Sequence, residues 1–179
     1  AFTLQSNLTR AEIRRRADAA VIAVREQMYR IAKLALSGRA DAPPAPDAPT
    51  PEQQQALIRA ALDLAAADRP APEQLVQVAA AGAAEADAFL NSRDIITMPP
   101  SPVRVILMPE FQRGFAVAYL DAPGPLEREL GSFYAVSPIP EGWSEQQADS
   151  FLREYNNRAI LDIAVHESSP GHYVQLWHA

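Results

Sequence analysis

The residues best suited to chemistry lie together near the end of the printed sequence. Its three histidines, His166, His172 and His178, all fall in this last stretch, and Glu167 directly follows the first of them. Neutral imidazoles are frequent zinc ligands, and a carboxylate beside a metal-activated water can serve as a general base. This combination suggests a metal site, although a histidine on an apolar helix is also commonly a simple packing residue.

The spacing of the first two histidines differs from that of a regular helical site. His166 and His172 are six residues apart, which is about 240° around a straight helix, so their rings would diverge. Between them lie Pro170, which disfavours helix for the residue before it, and Gly171, which adopts backbone conformations closed to other residues. We therefore expect the helix to end between the histidines and the second imidazole to be re-aimed toward the first.

From His166 to Gln175 the sequence reads HESSPGHYVQ, which resembles the HExxPGHxxQ signature of a bacterial family known as domain of unknown function 885. The likeness continues upstream in Arg113-Gly-Phe-Ala, in Gly131-Ser-Phe-Tyr-Ala-Val and in Tyr155-Asn-Asn-Arg, and it weakens toward the N-terminus. This family is similar to zinc peptidases of the gluzincin type, which are helical proteins with a small sheet beside the metal.

The resemblance implies a site divided along the polypeptide. His166 and His172 would bind Zn²⁺ and Glu167 would be the catalytic base, while the third ligand would be a glutamate in a later Gly-Trp-Ala-x-Tyr-x-Glu segment. The printed sequence stops at Ala179 before such a segment, so it resembles an internal fragment whose partner is the remainder of the same polypeptide. His178 lies six residues beyond His172, and we do not expect it to replace that ligand.

The function implied is hydrolysis of peptide bonds by the full-length protein, with the fragment alone inactive. The competing hypothesis is a non-catalytic helical binding or scaffold domain that has lost its metal. A serine or cysteine hydrolase has no support, because the sequence contains no cysteine and no GxSxG segment.

Several further residues are candidates for supporting roles at this site. Asp162, four residues before His166, is placed to orient its ring from the second shell, or is a surface carboxylate. The other candidates would contact the substrate or its developing oxyanion, or would only pack; they are Tyr173, Gln175, Tyr134 and Arg113.

Composition limits the classes of partner. A net charge of −6 gives no support for nucleic-acid binding, and the lack of cysteine excludes disulfides and thiolate metal sites. No apolar run approaches about 18 residues, so we expect no membrane-spanning segment. The compartment stays open, with a periplasmic or cell-envelope location suggested by the family resemblance.

The pattern of elements predicts a mainly α protein with a small β-sheet (α+β), a helical zincin-like fragment. Residues 1–97 form a predicted scaffold of three helices that begin at Thr9, Thr50 and Pro72, with a Pro/Ala-rich connector at 39–49. In the first helix an apolar stripe through Ile13, Val24 and Ile31 predicts the packing face.

Residues 98–179 form the predicted sheet and the helix that carries the histidines. Strands are expected at 103–108, 115–119 and 132–136, where β-branched and aromatic residues alternate with Pro- and Gly-bearing loops. A capping box at Ser144 begins the next helix, and Asn156-Asn157 predicts a break before the helix that leads to His166. This segment is expected to be incomplete at its C-terminal end.

Overall fold

The computed structural model describes residues 7–124, 126–127 and 130–179, and within them the predicted mainly α fold with a small sheet is confirmed. The helices are α1 Arg10–Ala35, α2 Pro51–Ala67, α3 Leu75–Arg93, α4 Glu145–Glu154, α5 Asn157–Glu167 and α6 His172–His178. The strands are β1 Arg104–Leu107, β2 Ala118–Asp121 and β3 Phe133–Val136. Single turns of 3₁₀ helix occur at Pro72–Gln74 and Glu110–Gln112. In the described part of the chain, every helix is too short or too polar to cross a bilayer.

The chain separates into two compact units, Ala1–Leu64 and Ala65–Ala179. The division predicted from sequence, 1–97 and 98–179, groups α3 with the first two helices, whereas α3 packs mainly on α5 and also on β1. The contact units and the predicted segments are therefore different divisions of the chain, and the predicted division stays a prediction.

In the first unit, α1 is buried only near its C-terminal end. Tyr29 and Ala32 are buried and pack with Leu57 of α2, and the Tyr29 hydroxyl donates to the Pro46 carbonyl of the connector at 2.7 Å. Thr9 caps the helix as predicted.

The packing stripe predicted for α1 is wrong. Val24 is 50% exposed and Ile31 is 64% exposed. The buried face runs instead through Tyr29 and Ala32, because the core of this unit forms only around the last turns of α1.

The second unit packs α3 and α5 on one face of the sheet. Its core includes Leu75, Ala79, Tyr134, Ile160 and Ala164, which come from both helices and from β3. The two helices approach closely at Gly82, where a Cβ atom would lie 3.3 Å from the Cβ of Ala164. Small residues on α3 thus let α5 lie against it, which fixes the helix that ends in the histidine segment.

The sheet is mixed, with strand order β1-β3-β2. β1 runs parallel to β3, and β2 runs antiparallel to β3 with Leu120 opposite Tyr134. β2 begins at Ala118 rather than at the predicted Phe115, which is 92% exposed and follows Gly114 at a φ of +96°. The left-handed conformation of this glycine turns the backbone before the strand can start.

The helix boundaries that lead to the site follow local capping chemistry. Ser144 and Gln147 form the predicted reciprocal capping box at α4. The predicted break at Asn156-Asn157 is confirmed, since the Asn156 side chain accepts hydrogen bonds from the N–H groups of Arg158 and Ala159 at the start of α5. These caps set where α5 begins and so which of its residues face the sheet.

Truncation of Ile160 measures how strongly α5 is anchored. Ile160 is fully buried, so Ile160→Ala is expected to lower the free energy of unfolding by about 2–5 kcal/mol. Ile95 is the matched control, because it belongs to the same unit and is 62% exposed. Ile95→Ala should change the free energy of unfolding by less than about 0.5 kcal/mol. Urea denaturation checks both values, and equal losses would contradict the described core.

Candidate metal site at the junction of α5 and α6

The helix that carries the first histidine ends one residue after it, as the Pro-Gly segment predicts. Past the end of α5, the backbone N–H of Ser168 donates to the Ala164 carbonyl at 2.8 Å, and its hydroxyl donates to the same oxygen. The N–H of Gly171 reaches back to the Val165 carbonyl at 3.1 Å. The peptide between Ser168 and Gly171 thus forms a tight reversal, with a cis bond before Pro170, and α6 starts directly after it.

Gly171 is the point at which the reversal touches α5. A Cβ atom on this residue would lie 1.8 Å from the carbonyl oxygen of His166 and 2.5 Å from that of Val165. Both neighbours are backbone atoms of a helix and cannot rotate away as a side chain would. Glycine is therefore required here for space, because any side chain would push the start of α6 off the end of α5.

The reversal brings two imidazoles together. The ring centroids of His166 and His172 are 4.5 Å apart, and the ring planes meet at 78°. Both residues are exposed, so the ring pair faces solvent and not the core. The predicted convergence is confirmed as geometry, and the binding of a metal by these rings stays a prediction.

Glu167 points in a different direction from the neighbouring His166. It continues the buried stripe of α5 through Ile160 and Ala164, and it is only 9% exposed. Its Oε2 accepts a hydrogen bond from the backbone N–H of Leu120 in β2 at 2.9 Å. The carboxylate is thus held between α5 and β2 while the adjacent imidazole is open to solvent.

Two buried tyrosines lie close to this carboxylate. Burial raises the pKa of Tyr134, and the neighbouring Tyr155 and Glu167 raise it further. Burial also raises the pKa of Tyr155; the Tyr134 hydroxyl lowers it in part, and Glu167 raises it by a smaller amount. Tyr134 is fully buried, which removes it from the candidates for direct contact with a substrate.

The other predicted supporting residues occupy the surface or have structural partners. Asp162 is exposed on α5, and the described residues show no hydrogen bond between it and His166. Gln175 is exposed on α6. The Tyr173 hydroxyl donates to the Ser101 carbonyl, which ties α6 to the segment before β1.

Arg113 and His178 also have backbone partners. Arg113 Nε donates to the Met108 carbonyl at 3.1 Å, and the residue lines a cleft of about 740 Å³ that includes Val117, just before β2. His178 Nε2 lies 2.9 Å from the Thr97 carbonyl oxygen. This contact agrees with the expectation that His178 does not join the other two histidines.

Two neighbours of Glu167 could not be found from the sequence: the Leu120 N–H that binds its carboxylate, and Tyr155, whose pKa the carboxylate raises. Leu120 acts through a backbone N–H, which leaves no signal in its side chain. Tyr155 stood only in the apolar pattern of the helix and in the Tyr-Asn-Asn-Arg segment. Its nearness to the carboxylate depends on how α4 meets α5.

The imidazoles of His166 and His172 are the type of ligand that zinc prefers, but they are fewer than a catalytic zinc site needs. Catalytic zinc commonly has three protein ligands and one open position, and His166 and His172 supply two imidazole rings whose centroids are 4.5 Å apart. Within the described residues, no group of three or more His, Asp or Glu side chains is placed to hold a metal ion. A complete site would therefore need a donor from another part of the polypeptide.

Fold and site define a helical protein with a small mixed sheet and a histidine pair at a helix reversal. The chain belongs to the family described as "Bacterial protein of unknown function (DUF885)", which it matches over residues 1–179. It is similar to a solved structure described as "a putative lipoprotein of unknown function from Shewanella oneidensis", with 27% sequence identity and a TM-score of 0.76. That likeness covers 97% of this chain and 30% of the other. No curated protein matches the chain.

Substitution of Gly171 tests the close approach. Gly171→Ala is expected to lower the free energy of unfolding by more than about 3 kcal/mol, because the new methyl group collides with the His166 carbonyl. Gly131 is the matched control, since a Cβ there meets nothing within 4 Å, and Gly131→Ala should cost less than about 0.5 kcal/mol. Chemical denaturation compares the two, and a neutral Gly171→Ala would refute the described contact.

Proposed function

We propose that the full-length protein is a zinc-dependent hydrolase of peptide bonds and that this chain carries the first half of its active site. In this proposal His166 and His172 bind the ion, Glu167 is the general base, and a carboxylate elsewhere in the polypeptide is the third ligand. The observation that carries the proposal is the meeting of the two imidazoles, 4.5 Å between centroids, beside a held carboxylate. The likeness of HESSPGHYVQ to the HExxPGHxxQ signature, in a family that resembles zinc peptidases, supports the same proposal.

The residues of this chain have distinct tasks in the reaction. A bound zinc ion lowers the pKa of water and polarises the carbonyl to be attacked. Glu167 takes a proton from the attacking water, and the same proton passes to the amine nitrogen when the C–N bond breaks. The reaction thus needs no proton from outside the site and leaves the carboxylate ready for another turnover.

The hydrogen bond from Leu120 suits Glu167 to this task. One carboxylate oxygen, Oε2, is fixed by the Leu120 N–H at 2.9 Å. The other oxygen accepts no hydrogen bond from the described part of the chain and is available for the proton. Burial of the side chain limits its rotation, so the free oxygen keeps one direction.

The outer side of β2 offers a place for an extended peptide. The Leu120 N–H points to Glu167 and away from β3, whereas the Val117 carbonyl accepts from the Ser137 N–H at 2.9 Å. Because antiparallel strands alternate in this way, Ala118 directs its N–H and C=O away from β3, to the same side of β2 as the Leu120 N–H that binds Glu167. A peptide that adds to this edge would pass beside the base. We therefore propose a peptide as the substrate.

A cell-envelope location is part of the proposal. It is supported by the family resemblance and by the description of the Shewanella oneidensis relative as a lipoprotein. The alternative function is a helical scaffold without metal. It is supported by the finding that no group of three or more possible metal ligands occurs in the described residues. The two functions differ in the metal content of the full-length protein.

Replacement of Glu167 tests the base. Glu167→Gln keeps the shape of the side chain but cannot take a proton, so kcat for peptide hydrolysis should fall at least about 100-fold. The zinc content should stay near about one ion per chain, because the carboxylate is not a ligand in this proposal. Normal turnover by this variant would eliminate Glu167 as the base.

Replacement of the histidines tests the ligands. Zinc measured by mass spectrometry after dialysis should be lost in His166→Ala and in His172→Ala, because two remaining donors bind the ion weakly. His178→Ala is the matched control and should retain zinc, since this ring bonds to the Thr97 carbonyl. Absence of zinc from the unmodified full-length protein would favour the scaffold hypothesis.

A further inference from the structure

Behind Glu167 the core contains polar groups that packing alone does not explain. Tyr134 is fully buried and Tyr155 is 4% exposed. The two hydroxyls lie close enough to act on each other, and neither has a well-formed hydrogen bond to any other described residue. Even if one hydroxyl donates to the other, one of the two protons has no acceptor. Buried hydroxyls are nearly always paired because they lose their hydrogen bonds to water, and phenylalanine would fill the same space without this cost. Two such groups side by side therefore call for a reason.

The position of Tyr134 and Tyr155 relative to Glu167 gives a reason for these buried hydroxyls. Tyr134 lies directly opposite Leu120 across the sheet, and it is the Leu120 N–H that binds the Glu167 carboxylate. Tyr155 belongs to the same core cluster as Ile160, which lies on the α5 stripe that ends in Glu167. Tyr134 thus lies on the strand beside the Leu120 N–H, and both tyrosines belong to the core cluster that packs against α5.

The electrostatics agree with this placement. Burial is the largest cause of the raised pKa of both tyrosines, the two hydroxyls also act on each other, and the Glu167 carboxylate raises the pKa of each by a smaller amount. Both hydroxyls therefore keep their protons and can act as donors. Glu167 is the charged acceptor that acts on both hydroxyls.

We propose that Tyr134 and Tyr155 are positioning residues for Glu167. Their hydroxyl groups donate toward the buried side of its carboxylate through an ordered water, and with the Leu120 N–H they hold one orientation of that side chain. The catalytic meaning of this arrangement rests on the proposed function, since it aims the general base. The contact between the tyrosine hydroxyls and Glu167 does not itself depend on catalysis.

A double-mutant cycle on stability tests the contact. Glu167→Met removes both acceptor oxygens at similar length, and Tyr155→Phe removes one donor. With Glu167 present, Tyr155→Phe is expected to lower Tm by about 3 °C, as for loss of a hydrogen bond to a charged group. With Met at position 167, the same change should leave Tm unchanged or raise it, because the hydroxyl then has no acceptor. Tyr134→Phe gives a parallel cycle.

Equal shifts of Tm in both backgrounds would overturn the proposal, because the hydroxyls would then act independently of Glu167. If Glu167→Met does not fold, Glu167→Gln takes its place, since an amide oxygen is a weaker acceptor than a carboxylate oxygen. The proposal then predicts that Tyr155→Phe lowers Tm less with Gln at position 167 than with Glu. The measurement uses the intact protein, with circular dichroism to confirm that each variant is folded.

Kinetics separate positioning from simple packing. Tyr155→Phe and Tyr134→Phe should each lower kcat about 10-fold with KM changed less than about twofold and zinc content unchanged. Tyr29→Phe is the control, because that hydroxyl donates to the Pro46 carbonyl in the other unit, so it should affect stability and leave kcat unaltered. Full kcat in both variants, with Glu167→Gln inactive, would reject the positioning role and leave the base in place. If Glu167→Gln is active, the proposed function fails, and the stability cycle still decides whether the hydroxyls contact Glu167.

Discussion

The close approach of Gly171 to the carbonyl oxygen of His166 is the constraint on which the site depends. A helix that continued past His166 would carry His172 about 240° around its axis. The chain instead folds back within four residues, and the backbone of Gly171 lies where any Cβ would be 1.8 Å from an oxygen atom. The two rings meet because the backbone can come this close, and a segment with any side chain at position 171 would hold them farther apart.

The same short segment sends two adjacent side chains to opposite environments. His166 is exposed, whereas Glu167 is buried at the end of the α5 stripe and accepts the Leu120 N–H. Consecutive residues on a helix differ by about 100° in direction, so one helix end can present a ligand to solvent and a carboxylate to the sheet edge. In the proposed enzyme this separates metal binding from proton transfer, and the base keeps its place without occupying the ligand position.

The ends of the helices and the chain reversal at the site are predictable from the sequence, because they depend on residues close together in the chain. The caps at Thr9 and Ser144 and the helix break at Asn156-Asn157 follow from the sequence because each depends on residues within one helical turn, and the reversal before His172 follows from Pro170 and Gly171. The fold class and the family were also correct. Features that depend on distant contacts were not foreseen.

The predictions that were wrong or missing concern features set by contacts between residues far apart in the sequence. The buried face of α1 is set by where its neighbours pack, which an apolar stripe through Val24 does not reveal. The substrate role considered for Tyr134 failed because burial between α5 and the sheet is a tertiary property. The Leu120 backbone N–H donates to the side chain of Glu167, 47 residues away along the chain, and no side-chain pattern encodes this hydrogen bond.

The central claim is that His166 and His172 converge on one metal ion. The most direct measurement is anomalous diffraction at the zinc edge from crystals of the full-length protein. The account predicts a single strong peak about 2.0–2.1 Å from one nitrogen of each ring, with Glu167 nearby but not bound to it. A zinc peak elsewhere, or well-ordered rings with no zinc between them in zinc-supplemented crystals, would contradict it.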